Sequence, residues 1–362
     1  MFPLLALMLT LVQGAKPSID SFAIGGITSC PKCRLERTGV ITLDRDYAVR
    51  PGNVAIVGSE VVLVSDGGPN PILRFDLRTG KYLGDVGRKG RGPGEFTWPR
   101  FLTALPGDSL FVFDNNGLTF SLLAPRTYRY VRGAPVTVSR PSAAILNGTT
   151  GLLWVAASVA RAQQVGYPIH LFEQDGTWIK SVGTERPLLR WNRHMTFTRR
   201  LAAGPNGTIW SIPRYGPLAI EVFDRSGHPL RKATYSAEWV PEQRQPQRQG
   251  DPPLPERPPF AVVSDSEAWI LTLIPAAKWK QGIIMTNDPT HGNAAPLVGD
   301  VSKLFDTIVE VFDLVRRRVL LRVRLDEAVL HALPDGMFVV YREDIKGAPE
   351  VRLERWSVRG LP

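Results

Sequence analysis

Ile72-Leu73-Arg74-Phe75-Asp76-Leu77-Arg78-Thr79-Gly80 is an alternating apolar strand that runs into an acidic residue and a glycine turn. The phrase returns as Ile169-His170-Leu171-Phe172-Glu173-Gln174-Asp175-Gly176, as Ile220-Glu221-Val222-Phe223-Asp224-Arg225-Ser226-Gly227 and as Val309-Glu310-Val311-Phe312-Asp313. Weaker copies lie at 118–123 and 351–356, which makes six. A period of two marks a strand, and Asp with Gly supplies the tight turn into the next one.

Working outward, a second phrase precedes each copy. A polar or glycine turn leads into a compact apolar strand at 60–65, 108–113, 151–156, 207–212, 266–272 and 336–341. Strands apolar on both faces are buried on both faces. A buried inner strand followed by an alternating hairpin, six times over, predicts an all-β, six-bladed β-propeller, since blades recur about every 40 to 50 residues. A β-sandwich does not need the same phrase six times. The strand at 40–44 has no blade of its own and the last blade, ending near Val358, has only three strands. Pairing the two removes both exposed edges, so the ring is expected to close by an N-to-C clasp.

Composition agrees with this reading. The 362 residues are 43% hydrophobic and 22% charged, which suits a globular chain with ample core and excludes wholesale disorder. The 33 glycines and 31 prolines are spread along the chain, as many short strands joined by turns require.

From Phe75 through Asp114 the chain resembles one full repeat of the NHL-repeat and related bacterial six-bladed propeller proteins. The resemblance rests on Asp76, Gly80, Val86-Gly87, Gly90, Gly92-Pro93-Gly94-Glu95-Phe96, Pro99 and Leu110-Phe111-Val112-Phe113-Asp114. The Gly-Pro-Gly-Glu-Phe element is the specific part, and beyond the second blade the likeness is architectural. On such propellers, calcium-dependent lactonase-type enzymes place Glu, Asn and Asp at the channel mouth, for which Glu95, Asn53, Asn192 and Asp265 are this chain's candidates. A hard cation such as calcium takes oxygen ligands of this kind. The five histidines show no pair at ligand spacing, and no Gly-x-Ser-x-Gly elbow or phosphate loop occurs.

The first twelve residues are apolar and are followed by Gln13, Gly14 and Ala15, the pattern of a signal peptide over 1–14. No other stretch approaches the ~18 apolar residues of a spanning helix. An exported protein, periplasmic or secreted, with no stable membrane span after signal removal is therefore expected. A short extension over 15–38 carries Cys30 and Cys33, the only cysteines, for which an oxidising compartment favours a local disulfide. The propeller is expected over 39–362. The formal charge is +10. Outside the cytoplasm this excess points to an anionic glycan, small molecule or acidic protein partner of a monomer, and away from nucleic acid.

Connections from the outer strand of one blade to the inner strand of the next gather on one face, where ligands bind. These are expected at 87–100, 132–147, 183–202 and 234–262, with the blade-five loop 286–306 on the same side. Loops on a rigid scaffold carry function, and these are basic with interleaved aromatics: Arg88, Arg91, Trp98 and Arg100, then Arg190, Trp191, Arg193 and His194. Glu95 and Asn192 join them as polar candidates. Guanidinium forks suit carboxylate, sulfate or phosphate, and an aromatic face can stack on a ligand ring. The expected function is non-catalytic recognition of an acidic small molecule, glycan or protein segment, with no cofactor. The alternative is a metal-assisted, calcium-dependent lactonase-like hydrolase or lyase at the channel mouth. The segment 238–259, rich in Gln, Arg and Pro, is expected to be an extended surface loop.

Overall fold

The repeated phrases fold into six four-stranded antiparallel units arranged as the blades of a six-bladed β-propeller, in a computed structural model that describes residues 19–26, 32–47, 49–65, 71–158, 166–183, 198–240, 251–284, 298–343 and 347–360. Blade 1 runs Pro51–Val57, Glu60–Ser65, Ile72–Asp76 and Tyr82–Asp85 from the channel outward. The innermost strands of blades 2 to 6 are Pro99–Leu105, Ser139–Leu146, Arg199–Ala203, Ala261–Val262 and Ala328–Leu333. The Asp-Gly phrase is the third strand of each blade. In blade 1 the Asp76 carboxylate accepts from the Arg78 and Thr79 N–H groups and the Thr79 hydroxyl, which fixes the turn into the fourth strand.

One assignment moves by a strand. The compact apolar runs expected to be innermost are the second strands, packed between the neighbouring blades, and the true innermost strands precede them. Most of those inner strands are short or begin on proline or polar residues, because one side of each faces the channel rather than a blade; Ala328–Leu333 is the apolar exception.

Apolar side chains fill all six gaps between adjacent blades. Phe111 and Phe113 of blade 2 meet Val155 and Phe172 of blade 3. Trp210 and Ile220 of blade 4 meet Ile270 and Phe312 of blade 5. Val61 and Phe75 of blade 1 meet Val339 and Tyr341 of blade 6. Each such side chain, fully buried, stabilises the ring by roughly 1.5–3 kcal/mol.

The clasp forms as expected, over a longer stretch. Arg34–Thr42 is the outermost strand of blade 6 and pairs antiparallel with Pro349–Arg359, Val40 opposite Glu354 and Ile41 opposite Leu353. Arg37 Nε meets the fully buried Glu354 carboxylate at 2.7 Å, and Trp356 Nε1 donates to the same carboxylate at 3.0 Å. A buried carboxylate needs partners of this kind. Earlier in the chain, Asp20–Ala23 adds a parallel fifth strand to blade 4, where Asp20 reaches Arg231 at 3.5 Å and Arg317 of blade 5 at 3.1 Å. Part of the N-terminal extension is thus built into the ring. The 1–14 segment and Cys30 lie outside the described residues, and Cys33 packs against the core between blades 5 and 6. Among the described residues no helix is long and apolar enough to cross a membrane.

Candidate functional site

The connections between blades bring the first residues of the innermost strands together at one end of the channel. They enclose a cavity of about 630 Å³ lined by Arg50 to Asn53 of blade 1, Trp98 and Arg100 of blade 2, Arg140 to Ser142 of blade 3, Thr198, Arg200 and Arg214 of blade 4, Glu256, Pro258 and Pro259 of the following connection, and Leu330 and His331 of blade 6. That volume lies in the ordinary range of ligand pockets. Five arginines stand there against one glutamate. The chain repeats the arrangement locally: Arg50-Pro51, Pro99-Arg100, Arg140-Pro141 and Arg257-Pro258 each sit where a connection enters or approaches an innermost strand.

Glu256 is already engaged. Arg214 donates to its Oε2 from Nε at 2.9 Å and from Nη2 at 2.6 Å, and the Tyr215 hydroxyl donates at 3.0 Å. Burial works to raise the Glu256 carboxyl, but Arg214 and then Arg200 outweigh it and hold it below the usual carboxylate range. Arg200 donates from Nε to the Arg257 carbonyl at 2.8 Å. Burial and then the neighbouring Arg214 pull Arg200 down to about 10, with Arg100 adding to the repulsion. Arg200 still carries its charge at neutral pH, in a crowd of like charges that an anion relieves.

His331 lines the cavity and is only 2% exposed. Burial, and then Arg200, push its pKa down to about 3, so the ring is neutral at pH 7. Trp98, at 52% exposed, presents its ring to the mouth, and the Arg100 guanidinium lies 5.3 Å from the ring centre.

Part of the expected basic-aromatic set does not converge here. Trp98 and Arg100 line the channel mouth, whereas Arg91 and Glu95 line a separate cleft of about 470 Å³ on the flank of blade 2, with Asp114 and Tyr130. Glu95 secures its own loop: Arg88 Nε donates to Oε1 at 2.7 Å and the Gly92 N–H to Oε2 at 2.8 Å. The Gly92 bond and then Arg88 hold its carboxyl below the ordinary value. The loop folds back closely enough on the chain before it to require glycine at 87. At φ +66° a Cβ on it would sit 2.4 Å from the Gly94 carbonyl oxygen. Arg190, Trp191, Asn192, Arg193 and His194 lie outside the described residues.

The oxygen ligands considered for calcium are not brought together either. Asn53 Oδ1 accepts from the Leu102 N–H at 3.1 Å and cross-links the inner strands of blades 1 and 2. Asp265 sits in the turn between the first two strands of blade 5, at the end of the ring away from the mouth, beside Asn206 at 3.4 Å. Among the described residues no group of three or more His, Cys, Asp or Glu could hold a metal ion. His170 is buried between Ser181 Oγ at 2.7 Å and the Ala157 carbonyl at 3.2 Å, and His228 closes a turn with Asp224 and Ser226.

The Pro-rich connection departs from its expected place on the surface. Its described part, 251–260, is extended, but Pro253, Arg257 and Pro258 are buried. Glu256 pairs with Leu273 through backbone bonds of 3.0 and 2.8 Å, the Arg257 N–H donates to the Arg214 carbonyl at 2.8 Å, and the Pro259 carbonyl accepts from Ala332 at 3.0 Å. Prolines suit this path because they fix an extended backbone and need no partner for an N–H. The segment forms a wall of the mouth. Residues 241–250 lie outside the described ones.

Sequence reading missed Arg50, Arg140, Arg200, Arg214, Glu256 and His331, although the recurring Arg-Pro pairs mark several of these positions. No protein-family profile matches the chain, and no curated protein matches it. Among solved structures it is similar to a Bacteroides vulgatus member of the DUF4221 family, with a TM-score of 0.61 at 8% identity over 91% of this chain and 99% of that one. It is also similar to a Bacteroides fragilis protein described as exported, with a TM-score of 0.58 at 10% identity over 94% of this chain and all of that one. At these identities the likeness is one of fold: the chain is a six-bladed β-propeller.

Proposed function

We propose that this protein is an extracytoplasmic recognition propeller that binds an acidic ligand at the channel mouth without transforming it. The observation that carries this reading is the set of five arginines facing one already paired glutamate around a 630 Å³ cavity. Guanidinium groups held on a rigid scaffold and partly desolvated bind carboxylate or sulfate with charge-assisted forks. Their charges also steer an anion into the concave site. The apolar N-terminus of the chain, together with the exported description of the Bacteroides fragilis relative in fold, supports placement outside the cytoplasm.

The test is titration calorimetry at low salt with tricarballylate, a plain tricarboxylate. The wild-type protein is expected to bind it, with affinity falling as salt rises. The combined Arg50→Ala, Arg100→Ala, Arg140→Ala variant should lose binding, and the Arg88→Ala, Arg91→Ala variant should retain it. Equal binding by all three proteins contradicts the site.

A further inference from the structure

Arginines supply only hydrogen-bond donors, yet the same rim carries buried polar atoms of other kinds with no partner. His331 Nδ1 has no hydrogen-bond partner among the described residues, in a side chain only 2% exposed that lines the cavity. Burial keeps the imidazole neutral, so Nδ1 accepts or donates according to its tautomer, and a ligand hydroxyl can serve either. Across the mouth on blade 2, Asn115 Oδ1 is likewise buried without a partner, beside Trp98.

A buried polar atom left unmatched is destabilising, so a ligand that satisfies it gains affinity. A simple carboxylate, sulfate or phosphate offers Asn115 Oδ1 nothing, since it too only accepts. What satisfies the whole rim is a molecule that places hydroxyl donors next to its anionic groups and has an apolar ring face for Trp98.

Resting on the anion-binding reading above, we infer that the ligand is an acidic saccharide of the uronic-acid type, whose carboxylates meet the arginines, whose hydroxyls bond to His331 Nδ1 and donate to Asn115 Oδ1, and whose ring lies on Trp98. Each uronic-acid unit carries both carboxylate and hydroxyls. This matches a rim that sets arginines of blades 1 to 4 beside unpartnered polar atoms on blades 2 and 6. A nucleotide separates its phosphates from its stacking base, and so matches that mixture less well.

The experiment is calorimetric titration of the full chain with four probes under one low-salt condition: digalacturonate, tricarballylate, the neutral disaccharide galactobiose, and AMP. Digalacturonate is expected to bind about tenfold more tightly than tricarballylate, the size of one or two net hydrogen bonds. In His331→Phe that preference should collapse. Equal affinity for digalacturonate and tricarballylate in the wild-type protein overturns the saccharide assignment and leaves the anion site standing. So does AMP binding more tightly than digalacturonate. Galactobiose binding as well as digalacturonate, or no binding by any charged probe, overturns the anion site itself. The comparison among probes needs only wild-type protein, so it decides the matter even if the His331 variant does not fold.

Discussion

Arg214 and Glu256 meet at 2.6 Å between Nη2 and Oε2, joining the second-to-third strand loop of blade 4 to the connection that leads into blade 5. The pair is partly solvated, its side chains 31% and 22% exposed. It holds the Pro-rich wall in place and neutralises one of the five mouth arginines. Glu256→Gln should therefore have two opposite effects. Stability is expected to fall by about 1–2 kcal/mol, less than for a fully buried pair. Added tricarballylate should then raise the melting temperature more in the variant than in the wild-type protein, because an anion substitutes for the lost carboxylate. Thermal denaturation with and without the anion checks both.

Trp98 is the exposed aromatic at the mouth, 5.3 Å from the Arg100 guanidinium. Digalacturonate is expected to alter the intrinsic fluorescence of the wild-type protein, and Trp98→Phe should remove most of that change. Titration of both proteins under the same conditions is the check. Unaltered quenching in Trp98→Phe places the ligand elsewhere.

Two buried histidines make stability depend on pH. Burial holds His170 at about 4 and His331 at about 3, both below the ordinary 6.5. The folded pKa values are depressed, so the unfolded chain binds more protons as pH falls below 6.5. Their contribution is fully present above that pH and is lost as pH drops toward 4 for His170 and 3 for His331. Each contributes a slope of about 1.4 kcal/mol per pH unit inside its window. Urea denaturation from pH 7 to 4.5 should show this loss, and His170→Gln should remove one histidine's share of the slope.

The closing strand also meets blade 1 at a close backbone contact. Gly80 has φ +72°, and a Cβ there would lie 2.0 Å from the carbonyl oxygen of Thr42, the last residue of the closing strand. The Gly80 carbonyl also accepts from the Asp44 N–H at 2.9 Å. Gly80→Ala is expected to cost about 1–3 kcal/mol, combining left-handed strain with displacement of the clasp. A denaturant midpoint unchanged from wild type contradicts this account of closure.

The fold was legible because second and third strands carry strong local signals. Phe75, Phe172, Phe223 and Phe312 sit in the same alternating phrase, and Asp76 and Asp224 make the turn bonds that the Asp-Gly spacing implies. Innermost strands lack such a signal. Ala261–Val262 spans two residues, and Arg199–Ala203 opens on arginines. One is too short and the other too mixed to show an apolar period, so nothing local marked the place of Arg200 at the mouth. His331 sits inside the apolar run Ala328–Leu333, where no pattern marks a cavity-lining residue. Arg88 and Glu95 stood out by composition, but charge in a loop does not reveal that the two pair with each other. Trp98 and Arg100, named from the same loop, line the mouth because they follow that loop directly into an innermost strand.

A crystal structure of the protein grown with digalacturonate tests the central claim most directly. The account predicts density in the channel mouth, with carboxylates on Arg100 and Arg200 and a sugar ring against Trp98. Density confined to the Arg91–Tyr130 cleft on blade 2, with the mouth free of ligand, contradicts it.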